Sequence, residues 1–395
     1  MTHEISSTTH KEAALTADQN VAYAKDCLLN GAPEKAVFFL SGAVTEFSKI
    51  PGDLAKVAEV KADMFFVYYN LYLSESGNSH VKKAYEILAR RAGLSSLRIS
   101  NRSQRDQHNQ VLEETSLETF QTLFADYQQR FETVPSNVGH PEIIAGSAYD
   151  HHVKAEHLRE YDNQFANGLQ YAEMATVEYL REGKVGEAGE TQSSAFLALK
   201  QLHKTQSLQT YDELAENCVN AAVEIAEVLG ENTEAITLPL LNRAKYKQEK
   251  RDFLGAITDY QRALISPLPE RHNRQGVRAD IEIRLRLCEY ANLPYQQLAE
   301  KQVKVTQIEA AILTLRNSEE DQYNKDIWLS GAYLQLFLLL EKTSPEKAEI
   351  YLLRSEEIAN NNVELDKRRV DLKKIRERKN NDYVVQQITD SYNKV

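Results

Sequence analysis

The chain has 395 residues, of which 42% are hydrophobic and 27% charged, with 15 glycines and 9 prolines. This composition excludes wholesale disorder, a collagen-like repeat and a disulfide-rich scaffold, and the length suits a few domains or one elongated repeat array. Because 58 acidic side chains outnumber 47 basic ones, the formal net charge is -11, which disfavours nucleic-acid binding by the surface as a whole.

The beginning of the chain predicts a flexible tail over residues 1–16. Residues 1–14 are rich in Ser, Thr and His and contain no apolar run as long as that of a signal peptide. We therefore expect a cytoplasmic protein. Export by a route that reads no N-terminal signal stays open.

Neither a membrane span nor a cysteine-based site is indicated. The strongest apolar stretches, 64–73 and 333–340, have about half of the ~20 residues that a membrane-spanning helix needs, so both predict buried helices. Cys27, Cys218 and Cys288 are an odd set without CxxC spacing. They predict reduced thiols in the core, not a disulfide or a zinc site.

Helical periodicity dominates the sequence. Alternation of the kind expected in a strand does not persist between turn signals. Apolar residues recur at spacings of three and four in segments 55–73, 117–131, 217–229, 281–291 and 297–315. These patterns predict an all-α fold.

Two stretches interrupt the helical pattern. Residues 98–110 are polar and charged and predict a loop or a solvated helix. Residues 133–144 contain Pro135 and Pro141, which forbid a continuous helix. We therefore predict a linker at 133–144, between a segment of helical hairpins at 17–132 and a second helical array at 145–360.

Small residues recur at matching offsets in two distant segments. Two antiparallel helices joined by a short turn approach closely only where side chains are small. We therefore predict one helical hairpin in each segment, with the recurring residues packed inside it. Ala24 is followed by Ala36, Leu40 and Ala43, and Ala244 by Ala256, Tyr260 and Ala263, so the offsets are 12, 4 and 3 in both.

This pattern resembles the tetratricopeptide repeat, which has a small residue in its first helix and then Ala, an aromatic residue or Leu, and Ala along its second. Segment 240–267 is the most similar, segment 20–47 is similar, and 328–359 and 183–195 match less well. The separations of 220 residues (Ala36 to Ala256) and 92 (Ala256 to Ala348) are not multiples of the ~34-residue family period. The resemblance implies antiparallel hairpins stacked in a right-handed α-solenoid.

The resemblance also implies a binding function. In such arrays the first helix of each hairpin lines a concave groove that binds a protein or peptide, and an Asn there grips a peptide carboxylate together with cationic residues. Asn242, with Arg243 and Lys245, lies at that place in segment 240–267. Ordinary surface or helix-packing roles for these residues are the alternative. We therefore predict a scaffold or adaptor that binds a protein or peptide partner.

An enzyme is a competing prediction. The sequence has no glycine-rich phosphate loop, no GxSxG and no HExxH motif. His151, His152 and His157 include no pair at the i, i+4 spacing that would share a metal, so we expect a solvent-exposed helix start there. We predict neither catalysis nor a cofactor. An active site assembled in space from His151, His152 and Glu156 stays the alternative.

Segment 361–395 predicts an amphipathic basic helix, with Leu365, Leu372 and Ile375 along one side. Such a helix caps an array by presenting a polar outer face, and an acidic body attracts it. The alternative is a regulatory contact with another protein, an anionic membrane or nucleic acid. The basic positions are Lys367, Arg368, Arg369, Lys373, Lys374 and Arg376.

Overall fold

The computed structural model describes residues 2–101, 114–135, 145–230, 233–268, 274–366 and 368–379. Every regular element in these ranges is a helix, so the predicted all-α fold is confirmed over the described part of the chain. Contacts divide the chain into two compact units, which we call unit 1 (Met1–Arg243) and unit 2 (Ala244–Val395).

The helices of unit 1 are α1 Thr2–Leu29, α2 Pro33–Ser48, α3 Leu54–Ser74, α4 Ser79–Ser100, α5 Leu117–Leu123, α6 Ala125–Thr133, α7 Ala148–Glu160, α8 Phe165–Arg181, α9 Val185–Gln206 and α10 Gln209–Glu227. Neighbours along the chain pack as the pairs α1/α2, α3/α4, α7/α8 and α9/α10. A short 3-10 helix (Glu234–Ile236) leads into α11 (Thr237–Glu249), within which the division between the units falls.

Unit 2 is organised in the same way, with α13 (Arg274–Asn292) packed on α14 (Leu298–Asn317) and α15 (Gln322–Leu340) packed on α16 (Pro345–Asn361). Its core is formed by apolar side chains of these four helices, together with Leu365 and Leu372. Its two further helices in the described ranges are α12 (Phe253–Ile265) and α17 (368–379).

The N-terminal segment differs from its prediction. Helix α1 begins at Thr2, so residues that we expected to form a tail continue the first helix. The local sequence explains the second half of this segment, because Lys11 to Leu15 is a run of strong helix formers close to the fully buried Ala17.

The structure also places the domain division elsewhere than at 133–144. Helix α6 ends at Thr133, as Pro135 requires, and residues 136–144 lie outside the described ranges. However, α2 packs on α8, and α4 packs on α10. The ring of Phe38 meets that of Tyr171 edge-on at 5.1 Å, and the Tyr211 hydroxyl donates to the Thr45 carbonyl at 3.0 Å. The segments before and after the prolines therefore share one core, since their apolar faces cover each other.

Three hairpin turns have the same geometry. Gly31, Gly183 and Arg251 each lie in the left-handed region, with φ of 71°, 77° and 64°. In each turn the next residue's N–H donates to the carbonyl five residues earlier, as from Ala32 to Cys27 at 2.9 Å. This Schellman arrangement ends one helix and reverses the chain into the next. The fourth and weakest repeat candidate, at 183–195, therefore has the same turn as the two strong ones.

The small residues that suggested the repeat lie inside these hairpins. In the hairpin that turns at Gly183, the buried Ala188 and Ala195 occupy the corresponding places, five and 12 residues after the turn glycine. In segment 328–359 the Ser355 hydroxyl donates to the Ser330 carbonyl at 2.8 Å, so two small residues again mark the close approach. The side chains of Ala24, Ala36, Leu40, Ala43, Ala244, Ala256, Tyr260 and Ala263 are all 0% exposed, as the packing argument requires.

Candidate functional site

A cavity of about 520 Å³ opens in unit 1 between α1, α3 and α6. Each of these helices contributes residues at spacings of three and four, so each presents a single face to the cavity. We call this space the α1–α3–α6 cavity. Its main lining residues are Asp18, Val21 and Ala22 from α1, Glu59, Val60 and Asp63 from α3, and Tyr127, Arg130 and Phe131 from α6, with Phe47 from α2.

Helix α6 is held in place against α1. The Lys25 ammonium donates to the carbonyl oxygens of Glu132 and Val134, the latter at 2.5 Å. These carbonyls belong to the end of α6, where backbone acceptors have no partner within the helix. The contact fixes the wall that carries Tyr127 and Arg130.

The charges at the cavity are unequally neutralised. Glu59 lies 3.3 Å from the Lys56 ammonium and 3.0 Å from the Arg130 guanidinium. Asp63 is only 7% exposed, and no residue in the described ranges donates a hydrogen bond to it or forms an ion pair with it. Burial and then the charge of Glu59 raise the pKa of the Asp63 carboxyl well above its ordinary value of 3.8, against the effect of Lys56. Within the described ranges, Asp63 is therefore a buried carboxyl without a hydrogen-bonded or ion-paired partner, and it lies beside an open space.

A second polar cluster lies between α3, α8, α9 and α10. Oε2 of the buried Glu173 accepts hydrogen bonds from the Tyr68 hydroxyl at 3.0 Å and from Gln192 Nε2 at 3.1 Å. The Cys218 sulfur lies 4.0 Å from the other Glu173 oxygen. The adjoining space of about 20 Å³ has room for one water molecule. We interpret this cluster as a structural network, because its polar groups satisfy one another.

Sequence reasoning did not identify either feature. A signal was present for both, since Asp63, Glu173 and Gln192 interrupt apolar helix faces at positions that helical spacing places inside the protein. The periodicity does not say which other helices meet those faces.

The solvent exposure of two histidines differs from the prediction. His151 and His152 are buried, not solvent-exposed, because α7 packs on α8. His151 Nδ1 lies 2.7 Å from Glu178 Oε2, and His152 Nε2 lies 3.2 Å from the Ser194 hydroxyl. The described residues contain no group of three or more His, Cys, Asp or Glu side chains that could hold a metal ion.

The predicted partner contacts on α11 do not form one exposed group. Asn242 and Arg243 are half-buried and belong to unit 1, whereas Lys245 belongs to unit 2. The Lys245 ammonium lies 3.7 Å from the buried Asp280, which also forms an ion pair with Arg284. A carboxylate of a partner would compete with Asp280 for Lys245.

The basic C-terminal helix lies against acidic side chains of its own unit. Arg376 forms ion pairs with Glu349 and Glu356, the latter at 2.6 Å, and Arg378 pairs with Glu341 at 2.8 Å. Leu372 is buried in the unit 2 core. This arrangement suits the capping interpretation. Arg368 and Arg369 are half-buried, Lys373 and Lys374 are exposed, and Lys367 lies outside the described residues.

The three cysteines are free and buried. Burial, with the charge of Asp26, raises the pKa of Cys27 to about 11, and burial raises that of Cys288 to about 12. Such thiols stay protonated and are poor nucleophiles.

Comparisons with protein-family models, with curated proteins and with solved structures find no match for this chain. Within the described ranges, every helix is too short or too polar to span a bilayer.

Proposed function

We propose that the protein is a scaffold of tetratricopeptide-like hairpins that binds a protein or peptide partner. The turns at Gly31, Gly183 and Arg251 support the relationship, because each is followed at offsets of five and 12 by fully buried alanines, as expected along the second helix of such a hairpin. Further stacking of such hairpins would produce a right-handed α-solenoid. The role is one of binding, not of catalysis.

The α1–α3–α6 cavity is the observation that carries this proposal. Apolar side chains of Val21, Ala22, Phe47, Val60 and Phe131 line much of it, and it connects to solvent. Its volume of about 520 Å³ falls within the range typical of binding pockets. It therefore offers a partner a place to bury apolar side chains.

The regulatory alternative through the basic helix has less support. The cations of Arg376 and Arg378 face glutamates of unit 2. Binding of nucleic acid or of an anionic membrane would have to displace these pairs.

Site-specific photo-crosslinking tests the proposal. A benzoylphenylalanine at Val21, inside the cavity, and one at the exposed Val153 of α7 form a matched pair in the same unit. After irradiation in native cells, a specific protein is expected to crosslink at position 21 and not at position 153. A purified, reconstituted complex should then be lost in Val21→Trp, which places a large side chain inside the cavity, and kept in Val153→Trp. Identical behaviour of the two positions would contradict the proposal.

A further inference from the structure

We propose that the α1–α3–α6 cavity receives a lysine or arginine side chain of the partner, with its cationic group at Asp63. This inference rests on the proposed function, since it names the chemistry of the segment that the cavity binds.

The charged side chains that line the cavity favour a cation as the group bound there. Three carboxyls, those of Asp18, Glu59 and Asp63, line the cavity. Glu59 already has two cations within 3.3 Å, whereas Asp63 has no partner among the described residues and is 7% exposed. A buried carboxyl without a counter-charge is unfavourable, and an incoming cation that forms a hydrogen-bonded pair with it removes that penalty.

The shape and lining select a basic side chain with apolar neighbours. A space of about 520 Å³ exceeds the volume of one lysine or arginine side chain, so flanking residues of the partner also fit. Val60 and Phe131 can cover the alkyl stem of the basic residue, as apolar surfaces commonly do. Phe47 adds a further apolar wall, whereas the Tyr127 ring already has the Arg130 guanidinium 5.8 Å from its centroid.

A proton accompanies this binding. The raised pKa of Asp63 means that its carboxyl retains a proton at a pH where an ordinary aspartate has lost it. A cation requires the ionised form, so the proton leaves on binding and affinity rises with pH. The other charged or titratable groups on the walls are Asp18 on α1, Lys56 and Glu59 on α3, and Tyr127 and Arg130 on α6, whereas α2 contributes only Phe47.

The experiment uses a phage-displayed library of random peptides, selected on the full-length protein and on the variants Asp63→Asn and Val21→Trp. Peptides enriched on the wild type are expected to carry Lys or Arg beside apolar residues. The same enrichment should be absent on Asp63→Asn, and Val21→Trp should retain none of these peptides. Asp63→Asn keeps the size of the side chain and removes a buried group that can ionise, so it is expected to fold.

A synthetic peptide then measures the contribution of the cation directly. Replacing its lysine by norleucine is expected to weaken binding about tenfold or more on the wild type, and to have little effect on Asp63→Asn. The affinity of the lysine peptide should rise by up to about tenfold per pH unit below the pKa of Asp63, whereas that of the norleucine peptide should not.

The outcomes separate the two proposals. Selection of neutral or acidic peptides that still fail to bind Val21→Trp would overturn the cation inference and leave the scaffold function standing. If every selected peptide still binds Val21→Trp, or if none is selected, the proposed function is overturned as well.

Discussion

The phenolic hydroxyl of Tyr68 donates a hydrogen bond to Oε2 of Glu173 at 3.0 Å, which joins α3 to α8 inside unit 1. Burial and the charge of Glu173 raise the pKa of this hydroxyl well above its ordinary value, so it remains a donor. The bond links residues that lie before and after the proline-containing stretch. It is one of the contacts that join these two parts of unit 1.

Tyr68→Phe is expected to lower the free energy of unfolding of unit 1 by about 1–3 kcal/mol, because it deprives a buried carboxylate of one donor. Tyr149→Phe removes the same hydroxyl from an exposed position of α7 and should have little effect. Urea denaturation followed by circular dichroism measures both variants. Equal stability of the two would mean that the Tyr68 bond contributes nothing net.

The division of the chain gives a second prediction. A fragment that ends at Pro135 lacks α8 and α10, on which α2 and α4 pack. It is expected to expose apolar surface, bind a hydrophobic dye and melt without a sharp transition. A fragment of unit 1 that ends at Arg243 should melt cooperatively. A sharp transition in the shorter fragment would restore the boundary that the prolines suggested.

A substitution at Ala256 tests the close approach of α11 and α12, the hairpin that turns at Arg251. Ala256→Leu places three additional carbon atoms where the side chain is fully buried, and is expected to destabilise unit 2 by about 1–3 kcal/mol. Ala310→Leu makes the same change at an exposed position of α14 and should be almost neutral. Thermal unfolding of the full chain provides the comparison. A neutral Ala256→Leu would argue against tight packing at this position.

The capping role of α17 predicts a loss of stability when its apolar side is cut back. Leu372→Ala should cost about 2–5 kcal/mol, because Leu372 is buried in the unit 2 core. The control Val370→Ala lies on the same helix at a residue that is 52% exposed. Hydrogen exchange in unit 2 should increase in the first variant alone. If both variants keep wild-type protection, the helix serves another purpose.

The pKa of Asp63 predicts how stability depends on pH. Because this pKa is higher in the folded than in the unfolded protein, the folded state binds the extra proton. The associated stability is fully present below about pH 4 and is lost as the pH rises through the folded pKa. Asp63→Asn should remove this loss and raise the free energy of unfolding at neutral pH by about 1–3 kcal/mol.

Melting curves of the wild type and Asp63→Asn at several pH values check this prediction. The two should converge near about pH 4 and diverge at higher pH. Parallel curves across the range would show that the Asp63 carboxyl titrates normally. The matched variant Asp18→Asn changes an exposed carboxyl of the same cavity and should leave the profile unchanged.

The hairpins were predictable from the sequence because their geometry is local. A short turn fixes which residues of two successive helices meet, so the offset from Ala24 to Ala36 already implied their burial. The burial of His151 and the position of Asp63 were not predictable in the same way. Both depend on which helix covers a given face, and residues as distant as 18 and 130 meet only in the folded chain.

The packing of α2 on α8 has a consequence for synthesis of the protein. Helix α2 ends at Ser48 and α8 ends at Arg181, so 133 residues separate their completion on the ribosome. At translation speeds of about 5–20 residues per second, the nascent first hairpin waits on the order of 10 s for the helix that covers it. During that interval the apolar face of the first hairpin stays exposed to solvent, so nascent chains would need a chaperone more than folded ones do.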